Sequence, residues 1–252
     1  MNKYKIAIPT YKRYNLIKNK TIKLLNNYNI DKSIIYIFVA NEEEYTKYKL
    51  ELPEYNIVVG ELGINNQREY IKNYFNVGEC ILFMDDDIDE VLELNKEAQL
   101  YKLDDLDTFI KYAFGECIDT NSYLWGVYPV NNGYFMKSRP KINNKLSFIL
   151  GTFYGQIIRH SPDLKTHAKE KEDVENSILH FRKDKIITRF EYITIKTKYY
   201  NTNGGISSLL NDRDEVNKLC AEYLEKNYPD YGKLWKRKNG KYEFRLNANI
   251  TF

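Results

Sequence analysis

The sequence predicts an α/β fold in which helices flank a mostly parallel, Rossmann-like central sheet within a single domain. Two observations lead to this prediction. Strand and helix patterns alternate along the first part of the chain, as they do where helical crossovers join parallel strands. The chain has 252 residues, of which 43% are hydrophobic, so it can bury a substantial core, and no repeat or linker divides it.

Four apolar runs in the first part of the chain are typical of strands, and two segments between them are typical of helices. The run from Ile34 to Val39 is almost wholly apolar and β-branched, which favours a strand covered on both faces. Pro9 ends the first run, where its missing N–H suits a strand terminus. The predicted strands are 4–8, 34–39, 57–59 and Cys80–Met84, and the predicted helices are 15–28 and Asn65–Phe75.

The rest of the chain carries a mixed pattern of helices and strands. Alternating apolar residues indicate a long strand, and a glycine-bearing segment at 147–158 is aromatic and β-prone. The predicted helices are Leu106–Cys117, Glu170–Phe181 and about Asp212 to Lys226, and the predicted strands are Tyr123–Pro129 and Ile186–Thr197. We divide the single domain, 1–252, into parts at 1–90, 91–210 and 211–252.

Charge and cysteine content exclude several classes of protein. Lys and Arg number 38 against 35 Asp and Glu, and this net charge of +3 is too balanced for a polyanion-binding tail. The cysteines Cys80, Cys117 and Cys220 have no CxxC spacing, so they predict neither a disulfide framework nor a zinc site. The N-terminus lacks a signal-peptide pattern, and no window approaches the ~18 apolar residues of a membrane span. We therefore expect a cytoplasmic protein without a membrane partner.

The composition is also skewed toward Asn, Lys, Ile and Tyr, with 23 tyrosines. This skew favours an A/T-rich coding sequence, such as that of a virus, a phage or a low-GC host. For a viral or phage gene, the cytoplasm in question is that of the host.

Three successive carboxylates, Asp85, Asp86 and Asp87, directly follow the apolar run Cys80–Met84. Carboxylates beside a buried strand are costly unless a positive charge neutralises them. Alternation along an extended chain points Asp85 and Asp87 to the same side, where both can bind one cation. Carboxylate oxygens suit Mg²⁺ or Mn²⁺, which also bind substrate phosphates. The triplet predicts a metal site at the carboxyl end of this strand, the alternative being a solvated turn that caps a helix.

Polar groups also follow the neighbouring strands. Residues 9–13 follow the first strand, Asn41 follows the second, and 63–68 lead into the helix before the acidic triplet. Arg13 and Arg68 can each present a planar fork to phosphate oxygens, whereas each alone is equally consistent with a surface charge. We expect a nucleotide to lie across these strand ends, with its diphosphate at the metal.

Together the motifs Ile6–Arg13, Phe38–Asn41, Gly63–Arg68 and Phe83–Asp87 resemble the nucleotide-sugar half of GT-A glycosyltransferases. The resemblance covers roughly residues 4–90 and implies a GT-A-like fold and a UDP-sugar donor, with UDP-glucose as one candidate. It implies that Asp85 and Asp87 hold Mn²⁺ or Mg²⁺, as the Asp-x-Asp motif of the family does. The donor-binding residues implied in this half are Pro9, Thr10, Tyr11, Arg13, Asn41, Arg68, Asp85 and Asp86.

Two segments of the second half resemble later elements of the same family. Glu172 and Asp173 resemble the Glu-Asp element of inverting enzymes, in which a carboxylate takes the proton from the acceptor hydroxyl. The resemblance implies an inverting hexosyltransferase with Asp173, ahead of Glu172, as the general base. The alternative is that both acids simply favour a helix N-terminus. Gly204 and Gly205 allow the backbone to approach the donor closely, or else form a flexible turn.

A narrower resemblance concerns the acceptor. The Gly204-Gly205 loop and the segment Pro9–Arg13 resemble the TET/JBP-associated glycosyltransferases of phages, large viruses and kinetoplastids, which add sugar to hydroxymethylated pyrimidines in DNA. This resemblance implies 5-hydroxymethylpyrimidine in DNA as the acceptor. Two basic stretches, 137–145 and 233–241, are consistent with contacts to a DNA backbone, with Trp235 stacking on a base, and equally with solvated loops.

A third metal ligand remains open at this stage. Many GT-A enzymes use a late histidine as a further ligand, and His160 and His167 are the two candidates. His180 lies late in an apolar helix, so we expect it to be packed. The sequence does not choose between His160 and His167.

Three other functions fit part of the pattern. The first is a glycosyltransferase that acts on a protein or glycan acceptor. The second is a metal-dependent nucleotidyl- or phosphotransferase, which also uses carboxylates at strand ends and would be recognised by release of pyrophosphate. A non-enzymatic DNA-binding protein is the third, and it leaves the acidic triplet unexplained. The oligomeric state is not predicted.

Overall fold

Helices cover both faces of a 10-stranded sheet in the computed structural model, which describes residues 3–197 and 213–250. The strands are β1 Tyr4–Pro9, β2 Ile35–Val39, β3 Asn56–Val59, β4 Cys80–Met84, β5 Ile88–Leu94, β6 Leu100–Lys102, β7 Leu124–Tyr128, β8 Ile142–Asn143, β9 Phe153–Ile157, β10 Thr188–Thr197, β11 Gly232–Lys236 and β12 Tyr242–Leu246. The helices are α1 Tyr14–Asn19, α2 Thr21–Asn27, α3 Glu42–Glu51, α4 Ile64–Tyr74, α5 Leu106–Thr120, α6 Gly133–Met136, α7 Glu172–Asp184 and α8 Arg213–Asn227.

The strand order of the main sheet is β3-β2-β1-β4-β9-β7-β10-β5-β6, with β8 paired to β10 outside this path. The first four strands in this order are parallel, which confirms the predicted parallel sheet for this half. From β4 onward most pairings are antiparallel, and β7 with β10 is the parallel exception. β11 and β12 form a separate antiparallel hairpin. The carboxyl ends of β1, β2 and β4 therefore meet at one edge of the sheet.

Two apolar cores, one on each face of the sheet, hold the layers together. The first core packs α1, α2, α3 and α5 against side chains such as Ile6 and Leu82. The second packs α4, α7, α8 and the hairpin against the other face, through residues such as Phe83 and Tyr154, whose rings stack with centroids 4.7 Å apart. β4 is buried at all five positions because both cores cover it.

Several elements differ from the sequence prediction. The predicted helix 15–28 is two helices, because the backbone turns at Lys20 (φ −117°, ψ −96°). α3 and β5 were not predicted, since α3 is dominated by charged and polar residues and β5 follows the acidic triplet without a break. The basic stretch 233–241 belongs to the β11–β12 hairpin. Its short alternating pattern lies among charges, where a strand signal is weak.

Within the described residues, none of the helices has both the length and the apolar character needed to cross a membrane.

Candidate active site

The acidic loop, Asp85–Asp87, connects β4 to β5 at the edge where the parallel strands end. Its backbone is fixed at both ends by hydrogen bonds. The amide of Asp85 donates to the carbonyl oxygen of Thr152 at 2.9 Å. The hydroxyl of Thr21 donates to the carbonyl oxygen of Asp85 at 2.7 Å and accepts from the amide of Ile88 at 3.1 Å. The three carboxylates are therefore held in a defined arrangement.

Asp86 points into the protein. The Thr10 hydroxyl donates to Oδ2 of Asp86 at 2.7 Å, and Nη1 of Arg13 donates to Oδ1 at 3.2 Å. Burial raises the pKa of Asp86 to about 7, against the opposing effect of Arg13. Because both of its oxygens have partners inside the protein, Asp86 ties the end of β1 to the acidic loop. Its expected role in donor binding has no exposed atom behind it, as Asp86 is only 4% exposed.

Asp85 and Asp87 point the other way and are partly exposed, with 29% and 19% of their side-chain surfaces accessible. The Thr197 hydroxyl donates to Oδ1 of Asp87 at 2.9 Å, and Arg13 lies 3.9 Å from Oδ2. Burial, and next the negative charge of Asp85, raise the pKa of Asp87. This electrostatic coupling places the two carboxylates on the same side of the loop, as the alternation along the chain indicates.

Arg68, on α4, joins the acidic loop to α7. Its Nη2 donates to Oδ1 of Asp85 at 3.0 Å and to the carbonyl oxygen of Gly151 at 2.8 Å. Its Nη1 donates to Oε1 of Glu172, the first residue of α7. The two carboxylates raise the pKa of Arg68 despite its burial, so it remains a fixed cation between them. The sequence prediction placed Arg68 on donor phosphate, whereas here its guanidinium is committed to protein oxygens.

Asp173 lies beside this junction and is half-buried. Its Oδ1 accepts from the amide of Val174 at 2.8 Å, and its Oδ2 accepts from the amide of Gly151 at 3.3 Å. Burial raises the pKa of Asp173, and burial likewise raises the pKa of Glu172, while Arg68 opposes both effects. A carboxylate that is shielded, oriented by amides and shifted toward neutral pH is suited to proton transfer.

The other expected donor-binding residues occupy different positions. Pro9 and Thr10 are buried at the end of β1, and Tyr11 is half-buried in the loop that follows. Arg13 lies against Asp86 and Asp87. Asn41 caps α3 by accepting from the amide of Glu44 at 3.0 Å. Gly204 and Gly205 lie outside the described residues.

Two supporting residues were missed from the sequence. Glu44, buried in α3, accepts from the amide of Lys12 at 2.6 Å and from the amide of Ala40 at 3.1 Å, so it holds the loop after β1 to the end of β2. The Tyr48 hydroxyl lies 3.1 Å from that of Thr10. Asn41 followed three residues later by Glu44 is a helix N-terminus signature that could have located α3.

The histidines do not join Asp85 and Asp87. β9 runs antiparallel to β4 and pairs Ile157 with Cys80, so His160 lies beyond the start of β4, whereas the acidic loop follows its end. These two ends are roughly 13 Å apart along the strand, and Nε2 of His160 lies 2.9 Å from the carbonyl oxygen of Phe75. The exposed His167 precedes α7, with its amide bonded to Glu175 at 2.6 Å. His180 is fully buried, as expected.

The donor set of the acidic loop fits a hard divalent cation. Asp85 and Asp87 offer carboxylate oxygens, which Mg²⁺ and Mn²⁺ prefer over nitrogen or sulfur. In the part of the chain that the structure describes, no group of three His, Cys, Asp or Glu side chains is arranged to hold a metal ion. Such an ion would therefore complete its coordination with water and substrate oxygens, as Mg²⁺ commonly does.

Comparison with known proteins places this geometry in a fold class. No protein-family model matches the chain, and no curated protein sequence matches it. Solved structures do match, among them a mycobacterial protein with a TM-score of 0.54 and 8% identity, over 98% of this chain and 84% of that one. Glucosyl-3-phosphoglycerate synthase from Mycobacterium tuberculosis, in complex with Mn²⁺ and UDP-glucose, gives a TM-score of 0.54 and 8% identity over 99% and 88%.

A third match is the same synthase with Mn²⁺, UDP and glucosyl-3-phosphoglycerate, at a TM-score of 0.51 and 8% identity over 99% of this chain and 89% of that one. At this identity the likeness concerns the fold. The chain has the GT-A-like α/β fold that the sequence predicts. The comparisons give no support for the narrower DNA-modifying subgroup.

Proposed function

We propose that this protein is a metal-dependent glycosyltransferase that moves a sugar from a UDP-sugar to a hydroxyl acceptor. One observation carries the proposal: Arg68 binds both Asp85 of the acidic loop and Glu172 of α7. It joins a candidate metal site to a pair of shielded carboxylates within a GT-A-like fold. These are the two components that sugar transfer from a nucleoside diphosphate requires.

In the proposed reaction, Asp85 and Asp87 hold Mn²⁺ or Mg²⁺. The ion would supply positive charge to the departing diphosphate. Asp86 does not bind the donor in this scheme and instead keeps the acidic loop against Thr10 and Arg13. Glutamate or asparagine in place of Asp86 would therefore disturb the site indirectly.

Asp173 is the proposed general base. It takes the proton from the acceptor hydroxyl as that oxygen attacks the anomeric carbon in a single displacement, which inverts the configuration. Glu172 is assigned a positioning role, because its ion pair with Arg68 fixes the start of α7. We propose UDP-glucose as the first donor to test, since the matching synthase was crystallised with it.

For the acceptor we propose 5-hydroxymethylpyrimidine in DNA. Support comes from the resemblance of the segment Pro9–Arg13 and from a cationic surface close to α7, which is considered below. A protein or glycan acceptor is the alternative within the same enzyme class. We place the enzyme in the cytoplasm, because Cys80, Cys117 and Cys220 are buried and unpaired, as is usual in a reducing compartment.

The deciding experiment is nucleoside mass spectrometry of hydroxymethylpyrimidine-containing DNA after incubation with a pool of UDP-sugars and Mn²⁺. A sugar-sized mass gain that Asp173→Asn abolishes supports the whole proposal. UDP release from one donor without a change in DNA moves the acceptor to protein or glycan. Release of pyrophosphate identifies a nucleotidyltransferase and overturns the proposal, as does the absence of any product.

A further inference from the structure

The β11–β12 hairpin presents one face to α8 and the other to solvent. Its register pairs Lys233 with Arg245 and Trp235 with Glu243, and the bond from the Arg237 amide to the Lys241 carbonyl oxygen continues it. Cross-strand partners share a face. The inner face packs through Phe244, which is 6% exposed. The outer face consists of three cross-strand pairs, Lys233–Arg245, Trp235–Glu243 and Arg237–Lys241.

This outer face is strongly cationic. It holds four basic side chains and one acid, Glu243, and the turn adds Lys238. Lys233 and Arg245 are like charges directly opposite each other, a pairing that destabilises a hairpin. Among the described residues neither has an ion-pair partner. A face that keeps this repulsion is suited to an anionic ligand, which would relieve it.

Trp235 lies in the middle of the cationic face and is 44% exposed. Its two neighbouring cross-strand pairs are both basic, so the indole is flanked by positive charge along the hairpin. Aromatic platforms between cations bind single strands, because bases stack on the ring while phosphates contact the basic side chains. A small anion would leave the indole unused.

The outer face is also connected to the candidate active site. Glu243 accepts from Nζ of Lys171 at 2.9 Å, and Lys171 directly precedes Glu172 and Asp173. Lys171 is only 4% exposed, so this ion pair lies against the start of α7. A strand bound across the hairpin would thus pass close to the proposed general base.

We propose that the outer face of the β11–β12 hairpin binds a single-stranded segment of nucleic acid and guides it to Asp173. The inference rests on the proposed function for its second part, whereas binding itself does not. Lys233, Arg237, Lys241 and Arg245 contact phosphates, and Trp235 stacks on a base. The net charge of the whole chain is only +3, so the local concentration of charge carries the binding.

The test measures binding of fluorescein-labelled 20-nucleotide oligo(dT) to the full chain by fluorescence anisotropy, across a series of salt concentrations. The double variant Lys233→Glu/Arg245→Glu keeps a like-charge pair, so the hairpin retains its energetics while two phosphate contacts are lost. We expect the salt slope of log K to fall by about 1.4, at about 0.7 per contact. Trp235→Ala should weaken binding about tenfold, and Trp235→Phe less.

The matched control is Lys23→Glu/Lys49→Glu, which makes the same charge change on α2 and α3, across the sheet from the hairpin. It should bind oligo(dT) like the parent. The single variant Lys233→Glu creates an opposite-charge pair with Arg245, so it should raise the thermal stability while weakening binding. A purely structural hairpin would not separate these two readouts.

Three results would overturn the inference: no binding by the parent at low salt, equal loss in the control variant, or binding to phosphatidylserine vesicles in place of oligo(dT). Release of UDP from UDP-glucose with Mn²⁺ and without acceptor is measured in parallel. The hairpin variants should retain that release. Loss of UDP release in every protein, with oligo(dT) binding intact, would refute the proposed glycosyltransferase and leave the binding surface standing.

Discussion

Glu172, at the start of α7, forms a buried ion pair with Arg68 of α4, and their side chains are 9% and 8% exposed. The same arginine contacts Asp85 at 3.0 Å, so one cation fixes a helix that arrives late in the chain against a loop formed early. The relation between the two carboxylates depends on a single guanidinium.

Arg68→Met should destabilise the protein by about 3–5 kcal/mol, because it leaves the Glu172 carboxylate buried without its cation. Arg68→Met/Glu172→Gln should recover most of this loss, since no buried charge is then unpaired, while sugar transfer stays impaired. Urea unfolding gives the stabilities, and UDP release gives the activity. A single variant as stable as the parent would show that the ion pair does not hold α7.

Asp87→Ala should reduce Mn²⁺-dependent transfer by more than about 100-fold, as outer-shell partners of a metal alone are worth about 10–100-fold. The fold should persist, since Asp87 is partly exposed. Asp89→Asn is the control, because it removes a carboxylate from the same part of the chain that is ion-paired to Lys20. Transfer at the parental rate in Asp87→Ala would mean that the acidic loop does not hold the metal.

Gly151→Ala should slow transfer by about 10–100-fold with little effect on stability. A Cβ at Gly151 would lie 2.5 Å from Nη1 of Arg68, so the guanidinium must shift away from Glu172 or Asp85. Gly115→Ala in α5 meets no atom within 4 Å and should leave transfer unchanged. The prediction fails if both alanine variants have the same rate.

His180 should make the protein less stable in acid. Burial lowers the pKa of His180 to about 4, from the usual value near 6.5, and the Arg159 charge contributes to this shift. Between these values the unfolded chain binds a proton that the folded protein does not, so stability falls as the pH falls. The unfolding free energy of the parent relative to His180→Gln should drop by about 2 kcal/mol from pH 6.5 to pH 5. Urea titrations at each pH measure this difference, in which the other titrating groups cancel, and parallel pH curves would contradict it.

Part of this molecule was predictable from the sequence because the signals are local. Cys80–Met84 is predicted to the residue, since both faces of β4 are covered and every position is apolar. Asp85–Asp87 then follow at the strand end. The pairing of Arg68 with Glu172 joins residues 104 positions apart and leaves no local pattern. The position of His160 depends on the direction of β9 beside β4, which the apolar pattern of a buried strand does not reveal.

The central position of β4 bears on how the chain folds during synthesis. β1 covers one edge of β4 and β9 the other, but β9 begins 69 residues after β4 ends, at Phe153 against Met84. Until β9 has left the ribosome, an apolar strand with unpaired backbone groups lies open to pairing with other chains. A chain truncated after residue 90 should therefore aggregate, although it contains every residue of the acidic loop. Segments that are separable by function are, in this protein, inseparable in folding.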